Sequence, residues 1–188
     1  MAQREHRWTQ HQTDTLSGKR ILIVGAGDLA AQMSRKLAAF DASVTLVGTT
    51  AREGVHGVDE LPDLLGDADA VVLTVPVTSK TIGLVDAAFL ARMADGAILV
   101  NAARGPIVRT DALLAELTAG RLRAVLDVTD PEPLPADHPL WDAPGLLLTP
   151  HVGGSSRGSR ERAYAVAARE IARYLGGEPP RNLVHGEY

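Results

Sequence analysis

The chain alternates short, unbroken apolar runs with longer stretches whose apolar residues recur every three or four positions. Unbroken runs bounded by glycine or polar residues predict buried strands, because a parallel strand covered on both faces has no polar side. They occur at 21–24 (Ile21-Leu22-Ile23-Val24), 43–47, 70–74, 97–100, 123–126 and 146–148. Between the first two, Leu29, Met33, Leu37 and Phe40 stand at helical spacing, predicting a helix over 28–40 with that stripe facing inward. Shorter helices are predicted at 61–65, 86–93 and 111–118, the last closed by Gly120, since glycine tolerates the left-handed conformation at helix ends. A long Ala- and Arg-rich helix is predicted over 155–175, and the tail 178–188, with its two prolines, is predicted to be extended. Residues 2–17 are polar around the lone Trp8; they allow a helix but offer no stripe to bury, and read as an appendage. Strands alternating with helices predict an α/β fold with a parallel sheet and right-handed crossovers.

Composition narrows the function classes. Of 188 residues, 45% are hydrophobic but only 4% aromatic, so Val, Leu, Ile and Ala must build the core of one domain with appendages. The net charge of -4 includes no block of like charge, which argues against a nucleic-acid partner. Without cysteine there is no disulfide, thiolate metal site or thiol nucleophile, and no metal site is expected. The polar start does not read as a secretory leader, and no apolar run approaches the roughly 18 residues of a membrane span. The expectation is a cytoplasmic protein with no membrane association.

The first strand runs into Gly25-Ala26-Gly27-Asp28-Leu29-Ala30, a G-x-G-x-x-A opening a helix within a strand–helix–strand unit. Glycines at those positions let backbone N–H groups approach a pyrophosphate at the positive end of the helix, and Ala30 still permits close helix–strand packing. The acidic residue expected at the end of the second strand for a ribose hydroxyl is missing; Thr49, Thr50 and Arg52 stand there instead. Two readings are open: a preference for NADP, whose 2′-phosphate an arginine and hydroxyls can bind, or a solvated arginine with relaxed cofactor choice. The first is slightly favoured.

Three polar sites each follow a buried strand, where open parallel sheets form their ligand crevice. They are Asn101-Ala102-Ala103-Arg104-Gly105-Pro106, Asp127 with Asp130-Pro131-Glu132-Pro133 behind it, and Thr149-Pro150-His151-Val152-Gly153-Gly154. An arginine can grip a carboxylate with two parallel hydrogen bonds, and a histidine can deliver a proton near neutral pH. These segments, with Leu16-Ser17-Gly18-Lys19, Ala68-Asp69-Ala70, Val75-Pro76, Thr81 and His138-Pro139-Leu140-Trp141, closely resemble the D-isomer-specific 2-hydroxyacid dehydrogenases.

The resemblance implies a Rossmann-type doubly wound parallel sheet flanked by helices, with NAD(P) as cofactor and a small 2-oxo or D-2-hydroxy acid as substrate. It implies that Arg104 binds the substrate carboxylate, His151 is the acid/base and Glu132 pairs with it. Gly25, Gly27, Asp28 and Leu29 are then at the pyrophosphate, Val75, Pro76 and Thr81 on the adenosine side, and Ala102, Asp127, Gly153 and Gly154 around the nicotinamide. Three departures stand out: Thr74 where the family often has His, Asp28 in the phosphate loop, and Arg109 in place of an acidic residue. The resemblance further implies a homodimer. It divides the chain into a remnant inter-domain helix or linker (1–17), the dinucleotide-binding domain (18–154) and a C-terminal helix and tail (155–188) that would return to a substrate domain. Most of that substrate domain is missing from these 188 residues, so cofactor binding is expected with poor turnover. The alternative is a non-catalytic dinucleotide sensor or corepressor-like module on the same fold.

Overall fold

The computed structural model describes residues 5–10, 12–181 and 183. Seven parallel strands form one sheet in the order β3-β2-β1-β4-β5-β6-β7. They are β1 (Arg20–Val24), β2 (Ser43–Gly48), β3 (His56–Gly57), β4 (Ala70–Leu73), β5 (Ile98–Asn101), β6 (Arg123–Leu126) and β7 (Leu146–Leu148). The helices are α1 (Asp28–Ala38), α2 (Leu61–Leu64), α3 (Ala87–Arg92), α4 (Thr110–Thr118) and α5 (Ser159–Leu175). The chain winds outward from β1 in both directions, so the strand order reverses between β1 and β4. That reversal opens a crevice at the carboxyl ends of the strands.

Side-chain alternation along β1 divides the core. Leu22 and Val24 join a large cluster with Leu73, Leu90, Leu99, Ile107, Leu113 and Leu117. Ile21 and Ile23 join a smaller one with Ala30, Ala42 and Val72, packed by Met33 and Leu37 of α1. Both faces of β1 are therefore dry, which is why its sequence is unbroken apolar rather than alternating. Just before β6, Arg121 ties α3 and α4 together. Its guanidinium donates to the carbonyls of Leu90 (2.5 Å) and Met93 (2.8 Å) and to Glu116 (2.6 Å).

Several expectations are corrected. The inward stripe of α1 is Ala30, Met33 and Leu37, whereas Leu29 and Phe40 are exposed. The fully buried Ala30 is the contact at which the helix approaches the sheet, and Leu29 beside it is left exposed. The helix also stops at Ala38, two residues short of Phe40. The last helix begins at Ser159 rather than 155, because residues 155–158 make successive turns that end in left-handed Gly158 (φ 74°). Residues 5–10 and 12–17 contain no α-helix. The expectation for the tail falls largely on residues 182 and 184–188, outside the described set. The two-residue strand β3 is too short to show in any periodicity.

Candidate active site

The phosphate loop is built as a tight turn backed by β4. Gly25 has φ 115°, and a side chain there would overlap Thr74 Oγ1 and stand 2.9 Å from the Thr74 carbonyl carbon. The Thr74 hydroxyl lies 3.2 Å from the Val24 carbonyl and 3.3 Å from that of Gly25, so Thr74 pins the loop from behind. In front, a Cβ on Gly27 would meet nothing within 4 Å. Gly27 is the N-cap of α1 and offers no side-chain cap, so the first N–H groups of an 11-residue helix have no side-chain cap to satisfy them. Open space above uncapped donors suits a pyrophosphate, and the residues present therefore fit a bound dinucleotide. Asp28 adds a carboxylate to the first turn of that helix.

Thr49 and Thr50 follow β2 and are exposed. Arg52 closes a tight turn with Val55 and donates from Nη2 to the carbonyl of Ala26 at 3.0 Å, so it is tied to the phosphate loop. Pro76 and Thr81 share one loop: the Thr81 hydroxyl donates to the Pro76 carbonyl (2.6 Å) and accepts from the Thr78 N–H (2.8 Å). Val75 packs against the larger core.

The three polar segments lie side by side on β5, β6 and β7. Exposed Ala102 and Arg104 alternate with buried Asn101 and Ala103, and the Arg104 guanidinium donates to the Ala103 carbonyl at 2.6 Å. His151 Nδ1 lies 2.6 Å from Glu132 Oε1, with both side chains half-exposed. His151 is held at φ 52°, the left-handed region that side chains other than glycine seldom occupy. No hydrogen bond links Arg104 to His151 or Glu132 among the described residues.

Asp127 accepts three hydrogen bonds. Thr149 Oγ1 (2.5 Å) and Val152 N (2.9 Å) reach Oδ1, while Gly153 N (2.9 Å) reaches Oδ2. The Thr149 hydroxyl first, then the two N–H groups and the nearby His151, hold its carboxyl below the ordinary aspartate value of 3.8. Its contribution to order is therefore present above that value and fades as the pH falls through the lowered one. Gly153 leaves room for this approach, since a Cβ there would stand 2.9 Å from Asp127 Oδ2. Gly154 faces open space. Sequence reasoning placed Asn101, Gly105 and Thr149 within its polar segments but gave none of them a role. A polar residue ending the apolar run Ile98-Leu99-Val100 was the available signal for the first. Among the described residues, no cluster of His, Asp or Glu is arranged to hold a metal ion, and no helix is long and apolar enough to cross a membrane.

The sheet order and the uncapped glycine loop define a dinucleotide-binding domain with a histidine–carboxylate pair at its crevice. A family profile described as the D-isomer specific 2-hydroxyacid dehydrogenase, NAD binding domain, matches residues 1–153, and the chain belongs to that family. It is 36% identical over 179 residues to a glyoxylate reductase of Thermofilum pendens, covering 92% of this chain and 53% of that protein. It is also 36% identical over 183 residues to a D-3-phosphoglycerate dehydrogenase of Mycobacterium tuberculosis, covering 93% of this chain and 34% of that one. Its fold matches that of a D-isomer specific 2-hydroxyacid dehydrogenase from Xanthobacter autotrophicus Py2, solved in complex with NADPH and MES. The TM-score is 0.85 at 37% identity, over 98% of this chain and 78% of that one. It likewise matches an NADPH-dependent glyoxylate/hydroxypyruvate reductase from Sinorhizobium meliloti, solved with NADP and sulfate, at TM-score 0.87 and 30% identity, over 97% of this chain and 60% of that one. The chain thus spans about half the length of the first of these curated relatives and a third of the second.

Proposed function

We propose that this domain carries the cofactor site and the acid/base machinery of an oxidoreductase that interconverts small 2-oxo acids and D-2-hydroxy acids. The observation that carries the reading is the 2.6 Å pairing of His151 with Glu132 at the carboxyl end of the sheet. A dinucleotide sensor has no use for such a pair. Gly25, Gly27, Asp28 and Leu29 hold the pyrophosphate through backbone N–H groups, and Thr49, Thr50 and Arg52 meet the adenosine ribose. Val75, Pro76 and Thr81 support the adenosine side, and Ala102, Gly153 and Gly154 border the nicotinamide. Hydride chemistry is what a nicotinamide dinucleotide supplies when bound. Arg104 grips the substrate carboxylate with its planar fork. His151, with Nδ1 engaged by Glu132, presents Nε2 to the carbonyl oxygen and delivers the proton that neutralises the charge building there. The 1–17, 18–154 and 155–188 division follows from the same reading, with the middle segment as the catalytic and cofactor-binding body.

Arg52 and the missing acid motivate a preference for NADPH. Calorimetric titration of the 188-residue chain is expected to give tighter binding of NADPH than of NADH, and Arg52→Ala is expected to remove the difference. A lost charge-assisted contact of about 1.5–3 kcal/mol corresponds to roughly ten- to hundredfold in affinity. Equal affinities in the parent chain would end this assignment, and binding of neither would end the cofactor site itself.

The domain is also proposed to form a homodimer. Trp8 (93% exposed) and the α5 residues Tyr164, Ile171, Tyr174 and Leu175 leave more apolar surface uncovered than a lone soluble domain usually shows. Sedimentation at micromolar concentration is expected to give twice the 19.9 kDa chain mass, and a clean monomer contradicts the proposal.

A further inference from the structure

We propose that Asn101 and Asp127 are a pair of positioning residues: Asn101 sets the loop that carries Arg104, Asp127 sets the turn that carries His151, and a backbone hydrogen bond joins the two mounts. This rests on the roles proposed above for Arg104 and His151.

Asn101 is buried to 1% exposure and is the buried polar side chain among the described residues. A buried amide is tolerated only when its hydrogen bonds are made. Here both ends are used: Oδ1 accepts from the Ala103 N–H at 3.0 Å, and Nδ2 donates to the Arg104 carbonyl at 2.9 Å. Only a group that both donates and accepts satisfies this loop, so leucine meets neither need and an ionised aspartate only one. A leucine would suit the surrounding core better. The amide is therefore explained by the loop and not by packing.

Asp127, one strand over, has the opposite character. It faces three donors, as an ionised carboxylate requires. Its own carbonyl accepts from the His151 N–H at 2.8 Å. Four hydrogen bonds to the 149–153 turn thus hold His151 in a left-handed conformation that the free chain would rarely adopt. Both carboxylate oxygens engage that turn, so Asp127 acts through His151 in addition to the place beside the nicotinamide that the family resemblance implies. The lowered carboxyl agrees with this engagement. The Asp127 N–H donates to the Asn101 carbonyl at 3.0 Å, joining the two mounts at neighbouring strand ends.

Near-isosteric swaps test the idea: Asn101→Leu removes both hydrogen bonds of the amide, and Asp127→Asn removes the charge and turns one acceptor into a donor. Asn101→Leu, Asp127→Asn and Arg104→Ala are compared with the parent 188-residue chain, ¹⁵N-labelled, with NADPH present and oxalate as a probe for the carboxylate site. Asn101→Leu is expected to speed amide exchange at Ala103 and to weaken oxalate binding, each about tenfold, as loss of roughly one hydrogen bond implies. Val152 and Gly153 keep their parent exchange rates in that variant. Asp127→Asn is expected to do the reverse: exchange rises at Val152 and Gly153, the resonances of the His151 ring shift, and oxalate binding holds. The proposal is overturned if Asn101→Leu leaves Ala103 exchange unchanged, or if either swap loosens both loops equally. It is also overturned if Asn101→Leu keeps parent oxalate affinity while Arg104→Ala loses it. Failure of the functional reading looks different: Arg104→Ala then binds oxalate as well as the parent does, or the parent binds none, and the exchange rates still decide the positioning roles.

Discussion

His151→Ala is expected to slow reduction of glyoxylate, pyruvate or hydroxypyruvate by about 10²–10⁴-fold, the usual contribution of a placed general acid. Cofactor affinity should stay at the parent level, because none of the loop contacts made by Gly25, Gly27 or Arg52 involves the imidazole. The measurement is single-turnover oxidation of NADPH with protein in excess, which reads the chemical step even when turnover is slow. Glu132→Gln is expected to be milder, because an amide oxygen can still accept from Nδ1, which the carboxylate now holds at 2.6 Å, and so keep the ring oriented. Arg104→Lys keeps a charge and loses the planar fork, so it should chiefly raise the substrate concentration needed. Parent-level reduction by His151→Ala would overturn the enzyme reading in favour of a dinucleotide sensor.

Gly105→Ala is expected to produce the largest loss of stability. Gly105 is buried against the neighbouring loop, and an added Cβ would overlap the Thr129 carbonyl and lie 2.8 Å from the Asp130 N–H. Backbone on both sides leaves no flexible side chain to yield. Forcing the two loops apart should cost about 3 kcal/mol, the upper end for overpacking. For a chain of this size that corresponds to a fall of roughly 6–12 °C in the melting temperature. The same displacement would carry the 129–132 loop, and with it Glu132, away from His151. Calorimetric melting checks the first effect, and the rate of reduction checks the second. An unchanged melting temperature would show that the 129–130 backbone can give way freely.

Much of this was legible because it depends on local spacing. The apolar runs at 21–24 and 70–74, the glycine pattern at 25–30 and three polar segments after strands are all one-dimensional signals. What was not legible depends on how loops meet. Nothing in the spacing of Asp127 marks it as the acceptor of three hydrogen bonds, because Thr149, Val152 and Gly153 arrive only once β7 lies beside β6. The burial of Asn101 is hidden for the same reason. Leu29 misled because helical spacing gives a stripe but not its absolute direction, and the contact of small Ala30 with the sheet set the rotation of α1. At 155–158 the expected helix gives way to Gly158 and to the turns continuing from His151.

None of the seventeen residues of α5 is fully buried, so the segment folds largely on its own account. A lone helix of that length is only marginally stable in water, even when rich in alanine. Its ellipticity is therefore a gauge of company: it should rise when another surface covers Ile171 and Leu175, and fall on dilution. Proteases that require an unwound chain will find this segment long before they reach β1, and the rate at which they cut it measures how much of the molecule is alone.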